Sequence, residues 1–327
     1  MGLINTLQNI FNSPKLGIEE GTERIESAEF KGKADIINLK IPSSVNYIGS
    51  EAFADCKNLE KLELDTAINS VKRKTFYNCK SLKEVNLAGE IKFLGASAFE
   101  NCSSLEAINI PSPIVKLDDL SFAGCSNLKN ITLSDSVQSI GKSTFKDCTS
   151  LEELEIPKTL IGLGQTAFYN CVNLKKIVLP ASLTYLGHNP FFGCKNLKVE
   201  SENESFIVED DFLIDTKKKR CVAYFGTDKT SLIVPYGTKR TGDFLFKDNE
   251  KLEIIVLPNS TERIGKQTFN GCKALKAISM YNTVKRIDEK AFDNCPQLRK
   301  IYVPIGCKEK FKTLLDESLW DKIEETE

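Results

Sequence analysis

The chain has 327 residues, a net charge of −1, 41% hydrophobic residues and 27% charged ones, the proportions of an ordinary folded protein. No apolar run approaches the roughly 20 residues of a membrane-spanning helix. No basic surplus exists to neutralise phosphates, so nucleic acid is not an expected partner.

At the N-terminus, MGLINTLQNIFNSPK has no charged n-region and no continuous apolar stretch, so no secretory signal is expected, and a native start implies a cytoplasmic protein. MGLINT fits the myristoylation pattern through Gly2 and Thr6, but that pattern is short and common by chance. Leu3, Ile4, Leu7, Ile10 and Phe11 fall on one helical face, which predicts a helical cap over residues 1–15.

A repeat follows. Leu16 and Ile18 stand one repeat length before Leu39 and Ile41. Phe30, Phe53, Phe76, Phe99, Phe122, Phe145, Phe168 and Phe191 keep the same step, and Phe246, Phe269 and Phe292 form a second run. Cysteine follows three residues after most of them, at 56, 79, 102, 125, 148, 171 and 194, then at 272 and 295, with Lys33 and Asn249 as exceptions. A unit this short cannot bury its own apolar residues and must stack on its neighbours, so the period predicts a solenoid. In each unit an L-x-x-I-x-L segment alternates, with Leu62 and Leu64 inward and Lys61 and Glu63 outward. That pattern predicts a short strand buried on one face and paired in parallel with its equivalents. The segment around SEAFADC reads as a helical turn opposite the sheet. A proline after the strand (Pro42, Pro111, Pro157, Pro180, Pro258, Pro304) is expected to end pairing. A glycine (Gly49, Gly95, Gly141, Gly164, Gly187, Gly265) is expected to permit a tight corner.

Residues 200–244 contain no matching Phe–Cys pair, and Asp210–Gly226 reads as a β-hairpin turning at Thr216–Lys219. KEKFKTLLDESLWDKIEETE reads as a closing helix carrying Phe311, Leu314, Leu315 and Trp320. The expected organisation is one domain over 1–327. It comprises an N-terminal cap (1–15), a first repeat block (16–199), a hairpin insert (200–244), a second block (245–304) and a C-terminal helical cap (305–327).

A-F-x-x-C-x-x-L-x-x-I-x-L-P at a 23-residue spacing resembles the BspA-like leucine-rich repeat family over about residues 16–307. NESFIVEDDFLIDTKKKRCVAYF is similar to a hairpin insert of that family, and YVPIGCKEKF to its C-terminal close. The resemblance implies an α/β solenoid, a leucine-rich repeat arc with a parallel sheet on its concave face. It also implies non-catalytic adhesion to host or matrix proteins, often at the surface of bacteria or protists. A chain without a visible export signal departs from that surface setting.

The ladder cysteines sit between a buried Phe and a buried Leu, three residues from each, so they read as small buried fillers. Disulfides would need equivalent coils to pair off, and no C-x-x-C group offers a zinc site, so no metal and no cofactor are expected. Cys221 and Cys307 lie outside the ladder and read as ordinary partly buried thiols, with an exposed reactive thiol as the alternative. His188 is the single histidine, at a surface position of the register with no partner placed by the repeat. IGLGQTA imitates a dinucleotide fingerprint, but Gly164 is a corner glycine and no Rossmann-sized unit follows. Carboxylates such as Glu153 and Glu155 read as a solvated strand face. An enzyme is therefore the distant alternative.

The outward strand positions are polar and charged in the first half of the array and turn apolar in the second half, at Val178, Ile254, Val256, Ala277 and Tyr302. These five are the candidate partner-binding residues, for a protein or peptide on the concave face. The competing reading is internal, with Phe206, Phe212, Tyr224 and Phe225 of the hairpin folding over them. A surface adhesion module and an intracellular interaction scaffold, the latter suggested by eleven thiols, remain the two functional classes.

Overall fold

A computed structural model describes residues 18–64, 68–87 and 91–327. The expected helix over residues 1–15 lies outside them. Parallel-strand coils recur about 13 times along the chain, with few helices. They fall into two compact units. One runs up to Leu186 and includes Asn196–Lys198; the other comprises Gly187–Lys195 and Val199–Glu327.

Each regular coil of the first unit has three sides. The first is the expected strand: Asn38–Ile41, Lys61–Leu64 and Glu84–Leu87 form a parallel sheet in which Leu39 opposes Leu62 and Leu62 opposes Val85. The second is a two-residue strand not anticipated from the alternation. Ser70–Val71, Phe93–Leu94, Lys116–Leu117, Ser139–Ile140, Gly162–Leu163 and Tyr185–Leu186 make a six-stranded parallel sheet, one strand per coil. Two residues are too few for an alternating pattern to show.

The third side corrects an expectation. It is a row of tight turns, not of helical turns. Ala54 donates to the Glu51 carbonyl at 3.0 Å and Cys56 to that of Phe53 at 3.4 Å. Alternate N–H groups point to the next coil: Glu51 to Arg73 at 3.1 Å, Phe53 to Thr75 at 2.9 Å and Asp55 to Tyr77 at 2.7 Å. Two residues per coil are left-handed, such as Glu51 (φ 59°) and Asp55 (φ 62°), or Lys74 (φ 56°) and Asn78 (φ 60°). The spacing explains the choice. Stacked phenylalanine rings from Phe30 to Phe168 lie 5.2–5.8 Å apart with planes within 17° of parallel. An α-helix is about 10 Å across and does not fit one per coil at that step; an extended ladder at about 4.8 Å does.

The corner glycines also act differently from expectation. Gly49 and Gly164 do not adopt positive φ. A Cβ on Gly49 would lie 2.4 Å from the Ser27 nitrogen, and one on Gly164 would lie 2.4 Å from the Gly141 carbonyl carbon. Glycine is needed because the preceding coil's backbone passes there.

The ladder cysteines form no disulfide and are buried, except that Cys295 is half-buried. They are more than fillers. Each Sγ donates to the carbonyl of the phenylalanine one coil back: Cys79 to Phe53 at 3.2 Å, Cys102 to Phe76 at 3.3 Å, Cys125 to Phe99 at 3.2 Å and Cys272 to Phe246 at 3.0 Å. The thiol fills an apolar slot and gives a second donor to a buried carbonyl that also accepts the N–H three residues on, as Phe53 does from Cys56. Outside the ladder, Cys221 and Cys307 are buried as well, and Cys221 lies 3.2 Å from the Thr238 hydroxyl.

In the second unit, Phe206–Glu209 pairs antiparallel with Phe212–Asp215, which pairs antiparallel with Arg220–Tyr224. The period returns earlier than the phenylalanine pattern shows. Ser231–Ile233 already pairs with Ile254–Val256 in parallel at the 23-residue offset. The C-terminal segment is a helix at Lys308–Lys312 burying Phe311, a 3-10 turn at Glu317–Lys322 and a strand at Ile323–Thr326 parallel to Lys300–Pro304. Trp320 Nε1 donates to the carbonyls of Lys312 and Leu315 at 3.1 and 3.3 Å, which ties this segment together. Pro304 stays within its strand, opposite Thr326, instead of ending the pairing.

The packing sets the expected cost of single substitutions. Phe122→Ala, between the rings of Phe99 and Phe145, should cost about 3–5 kcal/mol in urea unfolding. Phe93→Ala should cost less than about 1 kcal/mol, because that ring is 45% exposed; equal midpoints would contradict the ladder. Phe206→Ala should also be costly, since that ring is only 3% exposed. The thiols add a pH dependence. Burial pushes Cys56 up to about 11 and Cys125 up to about 12, above the roughly 8.5 of a free thiol. Folding favours the neutral form, so this stabilisation is full below about pH 8.5 and is lost as pH climbs through 11. The melting temperature should fall over that window, less steeply in Cys125→Ala than in the native chain. Identical pH profiles would show that the thiol does not contribute.

Candidate functional site

The second unit carries a five-stranded parallel sheet ordered Ser231–Ile233, Ile254–Val256, Ala277–Ser279, Lys300–Pro304, Ile323–Thr326. Alternation buries Leu232, Ile255, Ile278 and Ile301 in one core cluster. The residues between them face out. One outward row runs Ile233, Val256, Ser279, Tyr302, Glu324, and the other Ser231, Ile254, Ala277, Lys300.

Four of the five candidate residues, Ile254, Val256, Ala277 and Tyr302, therefore share one face. Ile254 is 46% exposed; Val256, Ala277 and Tyr302 are half-buried. Val178 is half-buried on the Lys176–Leu179 strand of the other unit, and the sheet described here does not include it. The register adds Ile233, 73% exposed, which lies against Val256. It was missed because no phenylalanine marks its coil. A signal was present: Leu232, Val234 and Pro235 stand one repeat length before Ile255, Leu257 and Pro258. The apolar strip is thus Ile233, Ile254 and Val256, ending toward Tyr302. There Lys300 lies 5.8 Å over the tyrosine ring and pairs with Glu324 at 3.1 Å.

The hairpin aromatics do not cover this strip. Phe212 packs on Tyr224 at 4.8 Å and meets Phe246 edge-on at 6.1 Å, while Tyr224 lies 5.5 Å from Phe246. Phe225 lies 6.0 Å from Phe191. These rings join the phenylalanine ladder inside the coils instead of folding over the sheet, so the internal-cover reading fails.

His188 departs from the surface position expected of it. It is half-buried, with Nδ1 accepting the Asp243 N–H at 3.4 Å and lying 3.4 Å from the Asp243 carboxylate. Burial lowers its pKa, Arg220 lowers it further and Asp243 opposes them, so the ring is neutral at pH 7. No nucleophile completes this pair. A groove of about 1080 Å³ lies between the last coil, at Ala291–Pro296, and Leu314, Leu315 and Leu319. Cys295 lines it together with the charged side chains of Lys273, Glu289, Lys290, Asp293, Asp316 and Lys322. Among the described residues, no three His, Cys, Asp or Glu side chains cluster as a metal-holding group, and no helix is long and apolar enough to cross a membrane.

The comparisons with known proteins agree with this architecture. The sequence profile of the BspA type leucine rich repeat region matches residues 5–129, 115–207 and 222–317. A leucine rich cell surface protein from Faecalibacterium prausnitzii A2-165 superposes with a TM-score of 0.66 at 24% identity, over 94% of this chain and 86% of that one. A leucine-rich repeat protein from Bacteroides ovatus ATCC 8483 gives 0.54 at 24% identity, over 93% and 87%. The pneumococcal vaccine antigen PcpA gives 0.58 at 22% identity, over 85% and 75%. Comparison with curated proteins returns no match. Identities this low carry the fold alone; the profile match, which spans most of the sequence, carries the family. The chain belongs to the BspA-type leucine-rich repeat family.

Proposed function

We propose that the protein is a non-catalytic interaction module that binds a protein or peptide on the outward face of the five-stranded sheet, as an adhesion protein at a cell surface. The observation that carries the reading is the patch of outward aliphatic side chains, Ile233 and Ile254 exposed and Val256 half-buried, on strands whose inward residues are committed to the core. A parallel sheet face rich in Ile and Val and open to water is a contact surface by its composition. The surface setting is supported by relatives described as a cell surface protein and a vaccine antigen, which are statements about those proteins. Eleven cysteines outside any disulfide are the observation favouring the intracellular scaffold. It is weakened because burial in the ladder shields most of them from oxidants.

The double variant Ile254→Ser, Val256→Ser removes the strip's centre without touching the buried Ile255. The expected result is an unchanged circular dichroism spectrum with loss of binding across a panel of immobilised matrix and host proteins on which the native chain is scored. Equal binding by both proteins, or unfolding of the variant, would reject the strip as the site. Protease shaving of intact source cells checks the setting: cleavage alongside an intact cytosolic control is expected, and full protection favours the scaffold.

A further inference from the structure

The second unit carries a row of four arginines that the sheet geometry aligns. In the parallel strands Arg220–Tyr224, Arg240–Thr241, Arg263–Ile264 and Arg286–Ile287, Arg220 opposes Arg240, Arg240 opposes Arg263 and Arg263 opposes Arg286. Adjacent strands lie about 4.8 Å apart, and like charges directly opposite one another are destabilising. The repeat does not require them. Of the equivalent positions of the first unit, Arg24, Tyr47, Ser70, Phe93, Lys116, Ser139, Gly162 and Tyr185, only Arg24 holds an arginine, so no two arginines oppose each other there.

Their surroundings add positive charge. The residues just before the arginines are Lys219, Lys239, Glu262 and Lys285, and the turn before Arg220 also carries Lys217 and Lys218. Four carboxylates oppose these nine cations. Asp215 lies 3.6 Å from Arg220, Asp243 faces His188, Glu262 is held by Lys239 and Lys285 at 2.8 and 3.0 Å, and Asp288 is held by the row itself. An excess of this size in a chain of net charge −1 is local and concentrated.

Asp288 shows what the row binds. One carboxylate bridges two rungs, with Oδ2 2.6 Å from Arg263 Nη2 and Oδ1 accepting from Arg286 Nε at 2.5 Å. Guanidinium forks suit carboxylates in this way. One rung earlier the arrangement is incomplete. The position equivalent to Asp288 is Gly265, where a Cβ would lie 2.8 Å from both the Thr241 carbonyl oxygen and Asp243 Oδ1, so residue 265 supplies no bridging carboxylate, and the neighbouring Asp243 pairs with His188 instead. Arg240 makes no ion pair among the described residues. His188 registers the same excess, since Arg220, Arg240 and Arg263 all act against its protonation while Asp243 favours it.

We propose that this row is a second binding site, distinct from the apolar strip, for an acidic peptide segment of a protein partner, with one of its carboxylates bridging Arg240 and Arg263 as Asp288 bridges Arg263 and Arg286. Extended acidic peptide is the occupant because the row already holds a side-chain carboxylate in this geometry.

The test uses the full chain and a fluorescein-labelled peptide of alternating glutamate and serine, read by anisotropy in low salt. Saturable binding is expected, weakened about tenfold in Arg240→Gln and unchanged in Lys175→Gln of the other unit. The single histidine gives a readout on the native protein: NMR titration should place the His188 midpoint higher with peptide bound, because an added carboxylate favours the charged ring. Absence of binding, equal affinity of the native and Arg240→Gln proteins, an unmoved His188 midpoint, or tighter binding of a heparin fragment or RNA of equal charge at the same site would each overturn the proposal.

Discussion

Within each unit most coils are bound to the next through their backbones on all three sides at nearly one offset, and that constraint governs the rest of the structure. The strand of one coil pairs with that of the next at the repeat length, the two-residue strand does the same, and the turn donates to a carbonyl of the following turn. A common step near the strand spacing leaves no room for a helix on any side. It forces glycine where two backbones cross, and it brings equivalent side chains into stacks. The phenylalanine ladder and the thiol-to-carbonyl bonds are consequences of that stacking. So are inter-coil ion pairs such as Lys83 with Glu60 at 3.1 Å and Lys276 with Glu253 at 2.7 Å. Those pairs are exposed and each contributes little.

The period made most of this legible. Phe53, Cys56, Leu59, Leu62 and Leu64 could each be placed in the core from spacing alone, and all are buried. The turn was misread because A-F-x-x-C also satisfies a helical spacing. The residue before the cysteine carries the correcting signal: Asp55, Asn78, Asn101, Gly124, Asp147 and Asn170 are all types that tolerate left-handed backbone, and all adopt it. The residue four positions earlier carries no such signal. Glu51, Lys74 and Leu120 are left-handed because the ladder on both sides holds them there. The register around Ser231 was legible through Leu232, Val234 and Pro235, but only to a reading that did not depend on phenylalanine.

The same logic explains which surface features were visible in advance. Ile254, Val256, Ala277 and Tyr302 follow from strand alternation, so their grouping was readable. Their relation to Ile233 depended on a coil without its marker residue. The arginine row has a 23-residue step at Arg240, Arg263 and Arg286, yet its first member, Arg220, reaches the row through the hairpin, outside the period. The second unit thus joins two surfaces of opposite character to one scaffold, an apolar strip on one sheet and a basic row on another. In the first unit the strands Lys61–Leu64, Glu84–Leu87 and Asn130–Leu133 present polar or charged residues outward.

The ladder on the turn side is the part of this account that departs furthest from an ordinary reading of the sequence, and amide hydrogen exchange tests it most directly. The amides of Phe99, Phe122 and Phe145, which donate to Ser121, Thr144 and Ala167 at 2.8–2.9 Å, should exchange as slowly as those of the Ala107–Ile110 and Asn130–Leu133 strands. The equivalent amide of Phe292, in the last coil, donates to no acceptor among the described residues and should exchange faster. Rapid exchange at Phe99, Phe122 and Phe145, on the scale of surface loops, would contradict the claim that the turns are bonded rungs of the same stack.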